Sequence, residues 1–161
     1  MISIERLTKK DTDYISPINC LLKQLSTSIE VLDRRNFLKA VGRKDSCFFA
    51  AKDADKKRPE NLAGIAMIFF VPRFEGTLAE IHTVVVDQDY RGKHIGDMLT
   101  ETMVGTARLL AIKNMEKISI YLTSKPVREA ANKLYQKHGF ELVAKAEGEK
   151  GTNLYKLVIT P

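Results

Sequence analysis

The segment Val84-Val85-Val86-Asp87-Gln88-Asp89-Tyr90-Arg91-Gly92-Lys93-His94-Ile95-Gly96 gathers the residue types of a phosphate-binding turn in one stretch. A run of β-branched residues ends, a turn with two glycines and two basic residues follows, and a helical pattern begins. The first amides of a helix have no carbonyl partner within it, and the aligned peptide dipoles add about half a positive charge there. Glycine lets an anion approach the main chain closely, and Arg91 and Lys93 add full charges. In physical outline this is a pyrophosphate site. The spacing is not the Gly-x-Gly-x-x-Gly of dinucleotide folds, and the Gly-Lys-Ser/Thr ending of a P-loop is missing. A strand-to-helix turn whose glycines serve only geometry is the plainer reading of the same residues.

Arg91-Gly92-Lys93-His94-Ile95-Gly96 resembles the Arg/Gln-x-x-Gly-x-Gly/Ala motif of the GNAT N-acetyltransferases, and the preceding Val-Val-Val-Asp-x-x-Tyr context is similar as well. The resemblance implies that main-chain amides of Gly92, Lys93, His94, Ile95 and Gly96 bind the pyrophosphate of acetyl-CoA beside Arg91. It also implies that the main chain of Val84, Val85 and Val86 meets the pantetheine, where a bulge splays this strand from the fifth. One position departs: His94 stands where the motif has its first glycine. It must adopt a backbone that a Cβ permits or sit displaced, and it reads as a local variant rather than a catalyst. Downstream, Leu122-Thr123-Ser124 and then Arg128 to Phe140 resemble the family's second cofactor segment. Arg128, Asn132 and Tyr135 are spaced to share one helix face. In the family the asparagine contacts the pantetheine or phosphate region, and the tyrosine hydroxyl lies near the cofactor sulfur. The two segments lie within residues 79–140, in the family's order.

The activity so implied is transfer of an acetyl group from acetyl-CoA to a primary amine, by direct attack in a ternary complex. A lysine-like amine has a pKa of about 10.4, so under ~0.1% is neutral at pH 7 and a base is useful. Glu80 and His82 are two apart on the fourth strand, on one face with Val84 and Val86. Each matches a position where family members carry a catalytic glutamate, and either could serve as base, directly or through water. An exposed polar pair at a strand's entry is the bland alternative. Tyr135 is the candidate acid, and an aromatic at helical spacing is also ordinary core packing. The tetrahedral intermediate needs amide donors, and the N–H near Val84 is the candidate. His82, His94 and His138 show no ligand spacing, so no metal is expected. His138 precedes Gly139 and suits a helix C-terminus.

Positioning these groups requires a definite order of elements. Ile2, Ile4 and Leu7 suggest a first strand. A helix capped by Asp11 or Thr12 follows, apolar at Tyr14, Ile18, Leu21, Leu22 and Leu25, with Pro17 tolerated only in its first turn or as a kink. A short helix over 33–41 stops near Gly42. Strands are expected over 46–52, 62–71 and 77–87, a long helix over 96–114 and a strand over 117–123. A helix over 126–138 and strands over 140–146 and 154–159 complete the chain. This order, β-α-α-β-β-β-α-β-α-β-β, implies an α/β (α+β) fold: a mixed, mostly antiparallel seven-stranded sheet with helices on both faces, as in the acyl-CoA N-acyltransferase fold. The length, 161 residues, suits one domain spanning the whole chain.

Composition narrows the alternatives. No apolar run nears the ~20 residues of a membrane span, and the N-terminus lacks a signal-peptide pattern. Cys20 and Cys47 have no metal spacing and read as buried thiols, so a reducing, cytoplasmic setting is expected. The net charge of +6 fits a phosphate-rich cofactor, a nucleic acid, or merely a lysine-rich solvated surface. No helix-turn-helix, zinc or ribonucleoprotein motif supports nucleic acid as a partner. A non-catalytic acyl-CoA-binding module is the other rival, against which Glu80, His82 and Tyr135 argue. The expected partner is a small-molecule or peptide amine whose identity the sequence leaves open. The family often dimerises, so a homodimer is an expectation on that ground.

Overall fold

The computed structural model describes residues 1–148 and 151–161. Seven strands form one sheet: β1 (Ile2–Arg6), β2 (Ser46–Asp53), β3 (Leu62–Arg73), β4 (Gly76–Val86), β5 (Ile118–Ser124), β6 (Glu141–Ala144) and β7 (Asn153–Ile159). Four α-helices accompany them: α1 (Ile15–Leu25), α2 (Arg34–Val41), α3 (Ile95–Asn114) and α4 (Glu129–Lys137). The strand order is β1-β2-β3-β4-β5-β7-β6, with β4 and β5 parallel and β1/β2, β5/β7 and β6/β7 antiparallel. This is the mixed α/β sheet expected from the element order. The chain divides into two compact units, residues 1–68 with 82–99, and residues 69–81 with 100–161.

In the first unit a cluster of Leu7, Tyr14, Ile18, Leu21, Phe37, Ala50, Leu62, Ile65 and Val85 is removed from water. Ile18 and Leu21 are the buried residues of α1, in keeping with its helical spacing. Pro17 falls in the first turn of α1, where its missing N–H costs nothing. Asp11 does not cap that helix. Its carboxylate accepts from the Thr8 N–H at 2.7 Å and the Thr8 hydroxyl at 2.8 Å, and a 3₁₀ turn over Thr12–Tyr14 leads into α1. Asp33 does cap α2, accepting from the Asn36 N–H at 2.7 Å. Cys47 is buried as expected, but Cys20 is exposed, because its position in α1 lies off the stripe of Ile18 and Leu21.

In the second unit β5 alternates as its sequence requires, burying Ile118, Ile120, Leu122 and Ser124. From Thr100 onward α3 buries Met103, Val104, Ala107 and Ala111. The last helix starts at Glu129 rather than 126. Arg128 has ψ +58 and turns back to the Lys125 carbonyl, so it stands before the helix and does not share the Asn132–Tyr135 face by helical spacing. Phe140 belongs to the helix end rather than to a strand. Its N–H bonds the Tyr135 carbonyl at 3.1 Å and that of Gly139 (φ +86) bonds Gln136 at 3.0 Å, the pairing that closes a Schellman turn.

Candidate functional site

The turn between β4 and α3 lies in the first unit, and other elements of that unit fix its shape. The Asp87 N–H bonds the Ala63 carbonyl at 2.9 Å, anchoring the strand end to β3. Gln24 of α1 grips both sides of the turn: its amide donates to Asp87 Oδ2 at 3.1 Å and its oxygen accepts from the Gln88 N–H at 3.0 Å. Asp87 Oδ1 accepts from the Asp89 N–H at 2.9 Å, closing a 3₁₀ turn over Gln88–Tyr90. The Tyr90 ring is buried, its hydroxyl donates to Asp53 Oδ2 at 2.9 Å, and burial pushes its phenol up. The ammonium groups of Lys56 and Lys93 stand 4.9 and 4.7 Å from the ring centroid. The Val-Val-Val-Asp-x-x-Tyr run is therefore a scaffold that carries Lys93 on an aromatic platform.

The turn itself faces water: Arg91, Gly92, Lys93 and His94 are all exposed. Gly92 has φ +76 and open space around the position a Cβ would take. His94 takes the left-handed backbone that favours glycine, with φ +58. Of the two outcomes open to it, it adopts a backbone that its Cβ permits, in a region histidine enters more readily than most residues. Its Nδ1 lies 3.4 Å from Asp97 Oδ2 in the first turn of α3. The Met98 N–H reaches back to the His94 carbonyl at 3.1 Å, so the amides of Ile95, Gly96 and Asp97 precede the helical ladder. Such an arrangement can take an anion through main-chain donors with two cations beside it.

In β4, Val85 is buried in the core cluster, which leaves Val84 and Val86 on the other side of the strand. Thr83 has φ +54, rare for a β-branched residue, and interrupts the alternation between His82 and Val84. Ladder pairs between β4 and β5 run from Thr77↔Ile118 to Glu80↔Tyr121, while β4 continues to Val86. Glu80 and His82 are both exposed, in phase with one another.

The second unit carries Glu80, Asn132 and Tyr135. The Asn132 side-chain amide donates to the Lys125 carbonyl at 3.0 Å and the Pro126 carbonyl at 3.3 Å. Its Oδ1 is left buried without a partner among the described residues. Tyr135 is buried, edge-on to Phe140 at 6.1 Å and tilted to Tyr155 at 6.1 Å. Burial pushes its phenol up to about 12, against a lowering by Arg128. The hydroxyl therefore stays protonated through neutral pH and keeps a proton to donate. Gln24, Asp53 and Thr83 were not marked by any motif. Gln24 reaches the turn across 63 positions, which no local pattern reveals.

Similar proteins agree with this architecture. The match to the Acetyltransferase (GNAT) family covers residues 17–140. Among solved structures, Arabidopsis thaliana NAA60 in complex with acetyl-CoA superposes with a TM-score of 0.73 at 19% identity, covering 99% of this chain and 98% of that one. An acetyltransferase of the GNAT family from Streptococcus pneumoniae gives 0.74 at 20% identity, covering 99% of each chain. Glucosamine-6-phosphate N-acetyltransferase from Arabidopsis thaliana gives 0.70 at 19% identity, covering 92% of this chain and 97% of that one. A search of the curated proteins finds no match. At these identities the structures speak for the fold, and the family match carries the assignment: the chain belongs to the Acetyltransferase (GNAT) family.

Proposed function

We propose that the protein transfers the acetyl group of acetyl-CoA to a primary amine within a ternary complex. The observation that carries this reading is the strand-turn-helix of residues 84–96, with His94 in the left-handed conformation that favours glycine. The residues suit the diphosphate: Gly92 leaves open space, and the amides at the start of α3 precede its ladder. The unpartnered Oδ1 of Asn132 suits an amide N–H of a pantetheine arm.

Bound acetyl-CoA supplies the thioester whose carbonyl carbon accepts the amine. Glu80 or His82, directly or through water, takes the proton the amine must lose. The Val84 N–H donates to the carbonyl oxygen as it gains charge. The C–N bond forms first, and the C–S bond then breaks as the Tyr135 hydroxyl donates to the departing sulfur. Arg91 and Lys93 hold the diphosphate and orient the arm. The neighbours named above include one bound to acetyl-CoA and one named for a sugar phosphate amine, which supports the cofactor and leaves the acceptor open. We place the reaction in the cytoplasm and treat residues 1–161 as one catalytic domain. Fractionation of cells expressing the full chain checks the first.

Titration calorimetry with acetyl-CoA, followed by a thiol-release assay over an amine panel, tests the reading. Saturable uptake with turnover of at least one amine is expected. Uptake without turnover of any amine would leave an acyl-CoA-binding module, and no uptake would remove the cofactor assignment altogether.

A further inference from the structure

A cavity of about 170 Å³ opens within the second unit, lined by Arg73, Glu75, Lys117, Ser119, Tyr121 and Lys156 along with the first residues of β4. Three cations face one carboxylate there. Among the described residues none of Arg73, Lys117 and Lys156 has a carboxylate ion-pair partner. Lys156 instead stands 5.5 Å from the centroid of the Tyr121 ring. The Ser119 hydroxyl and Tyr121 phenol add hydrogen-bond donors. The main chain sets the wall: the Thr77 N–H bonds the Lys117 carbonyl at 3.0 Å, and a Cβ on Gly76 would fall 2.4 Å from that oxygen. The Thr77 hydroxyl donates to Glu116 Oε1 at 3.0 Å, which already accepts from Asn114.

The ladder registers say where this cavity lies relative to a candidate base. Glu80 pairs with Tyr121, Tyr121 with Lys156, and Lys156 with Glu141, so the four form one row across β4, β5, β7 and β6. Strands lie about 4.8 Å apart, which puts the Lys156 backbone ~10 Å from that of Glu80 on the same face. Ser119, one step along β5 on that face, pairs with Leu78. The volume suits one small charged group and not a whole acceptor.

We propose that this cavity binds an anionic group, a carboxylate or a phosphate, carried by the amine acceptor whose nitrogen reaches Glu80. The proposal rests on the acetyl-transfer reading and names its substrate class: amines with an acid roughly eight bonds away, the length of an extended chain that spans ~10 Å. Arg73, Lys117 and Lys156 hold the charge, and Ser119 and Tyr121 orient it.

Three acceptors of matched length test this: 8-aminooctanoate, 7-aminoheptyl phosphate and the uncharged 8-aminooctanamide. Each is titrated calorimetrically into the protein saturated with coenzyme A, and each is assayed for acetyl transfer. At least one anionic acceptor should bind about tenfold more tightly than the amide, as charge-assisted hydrogen bonds require. The stronger of the two identifies carboxylate or phosphate as the preferred group. In Lys156→Met and Lys117→Gln that ratio should fall towards one. Lys117 is exposed, so its variant keeps the test valid if the other fails to fold. Equal binding of all three acceptors, or an unchanged ratio in a folded Lys117→Gln/Lys156→Met protein, overturns the proposal. Anion preference without turnover of any amine, these three and the wider panel alike, would uphold the cavity and defeat the acetyl-transfer reading, so the two failures are distinguishable.

Discussion

Tyr135 shows how burial selects a role. A phenol at about 12 cannot act as base near neutrality, and its hydroxyl is a steady donor. Full proton transfer to a thiolate of pKa about 8.5 would be uphill, so in the proposed reaction the hydroxyl serves by hydrogen bonding to sulfur as charge develops. Tyr135→Phe should lower kcat about 100-fold and leave acetyl-CoA affinity within about twofold, as steady-state kinetics and calorimetry would register. The phenol's raised pKa has a stability consequence. Its contribution is fully present below the unfolded value of about 10 and is lost as pH rises towards 12, so thermal melts should decline in that window. His94 makes a different point. A left-handed backbone costs a histidine little and a β-branched residue more. His94→Gly should leave acetyl-CoA binding intact, and His94→Val should cost about 1–3 kcal/mol in urea denaturation.

At the level of elements, the turn is held by hydrogen bonds to α1, β2 and β3. Gln24 bonds both Asp87 and Gln88, so Gln24→Ala removes two hydrogen bonds to the turn. Acetyl-CoA affinity should fall about fivefold, close to the value of one modest hydrogen bond, while far-ultraviolet dichroism stays unchanged. Close approach of strands imposes its own demand. A Cβ on Gly64 would lie 2.9 Å from the Val85 carbonyl oxygen and 3.4 Å from Leu99 Cδ1. Gly64→Ala should therefore destabilise the protein by about 1–3 kcal/mol, read from chemical denaturation.

Across the whole molecule, charge sets the acid limit of stability. Hydrogen bonding to Lys52 holds the Glu5 carboxyl below its usual range, and Arg58 does the same for Asp13, as Arg43 does for Asp45. A depressed carboxyl contributes stability above its unfolded pKa and loses it as pH falls through the folded one. The melting temperature should be flat from pH 7 to about 5 and fall below about pH 4, where a net charge already at +6 grows further. Much of this molecule was legible in its sequence because the relevant physics is local. Period-two burial marked β5, glycines and basic residues marked the turn at 91–96, and the order of elements implied the mixed sheet. Helix α4 starts later than the sequence suggests: Pro126 suits a first helical turn, but Arg128 takes a non-helical ψ that only the folded chain reveals. Cys20 is exposed because it sits on the face of α1 away from Ile18, which its two-residue offset from Ile18 already implies. The sequence by itself determined the types of element, their order and the strand-turn-helix at 84–96. Only the tertiary structure decided that Gln24 clamps that turn, that burial keeps Tyr135 protonated, and that Lys117 and Lys156 converge on one cavity. Those contacts join residues distant along the chain, and no periodicity encodes a distance through space.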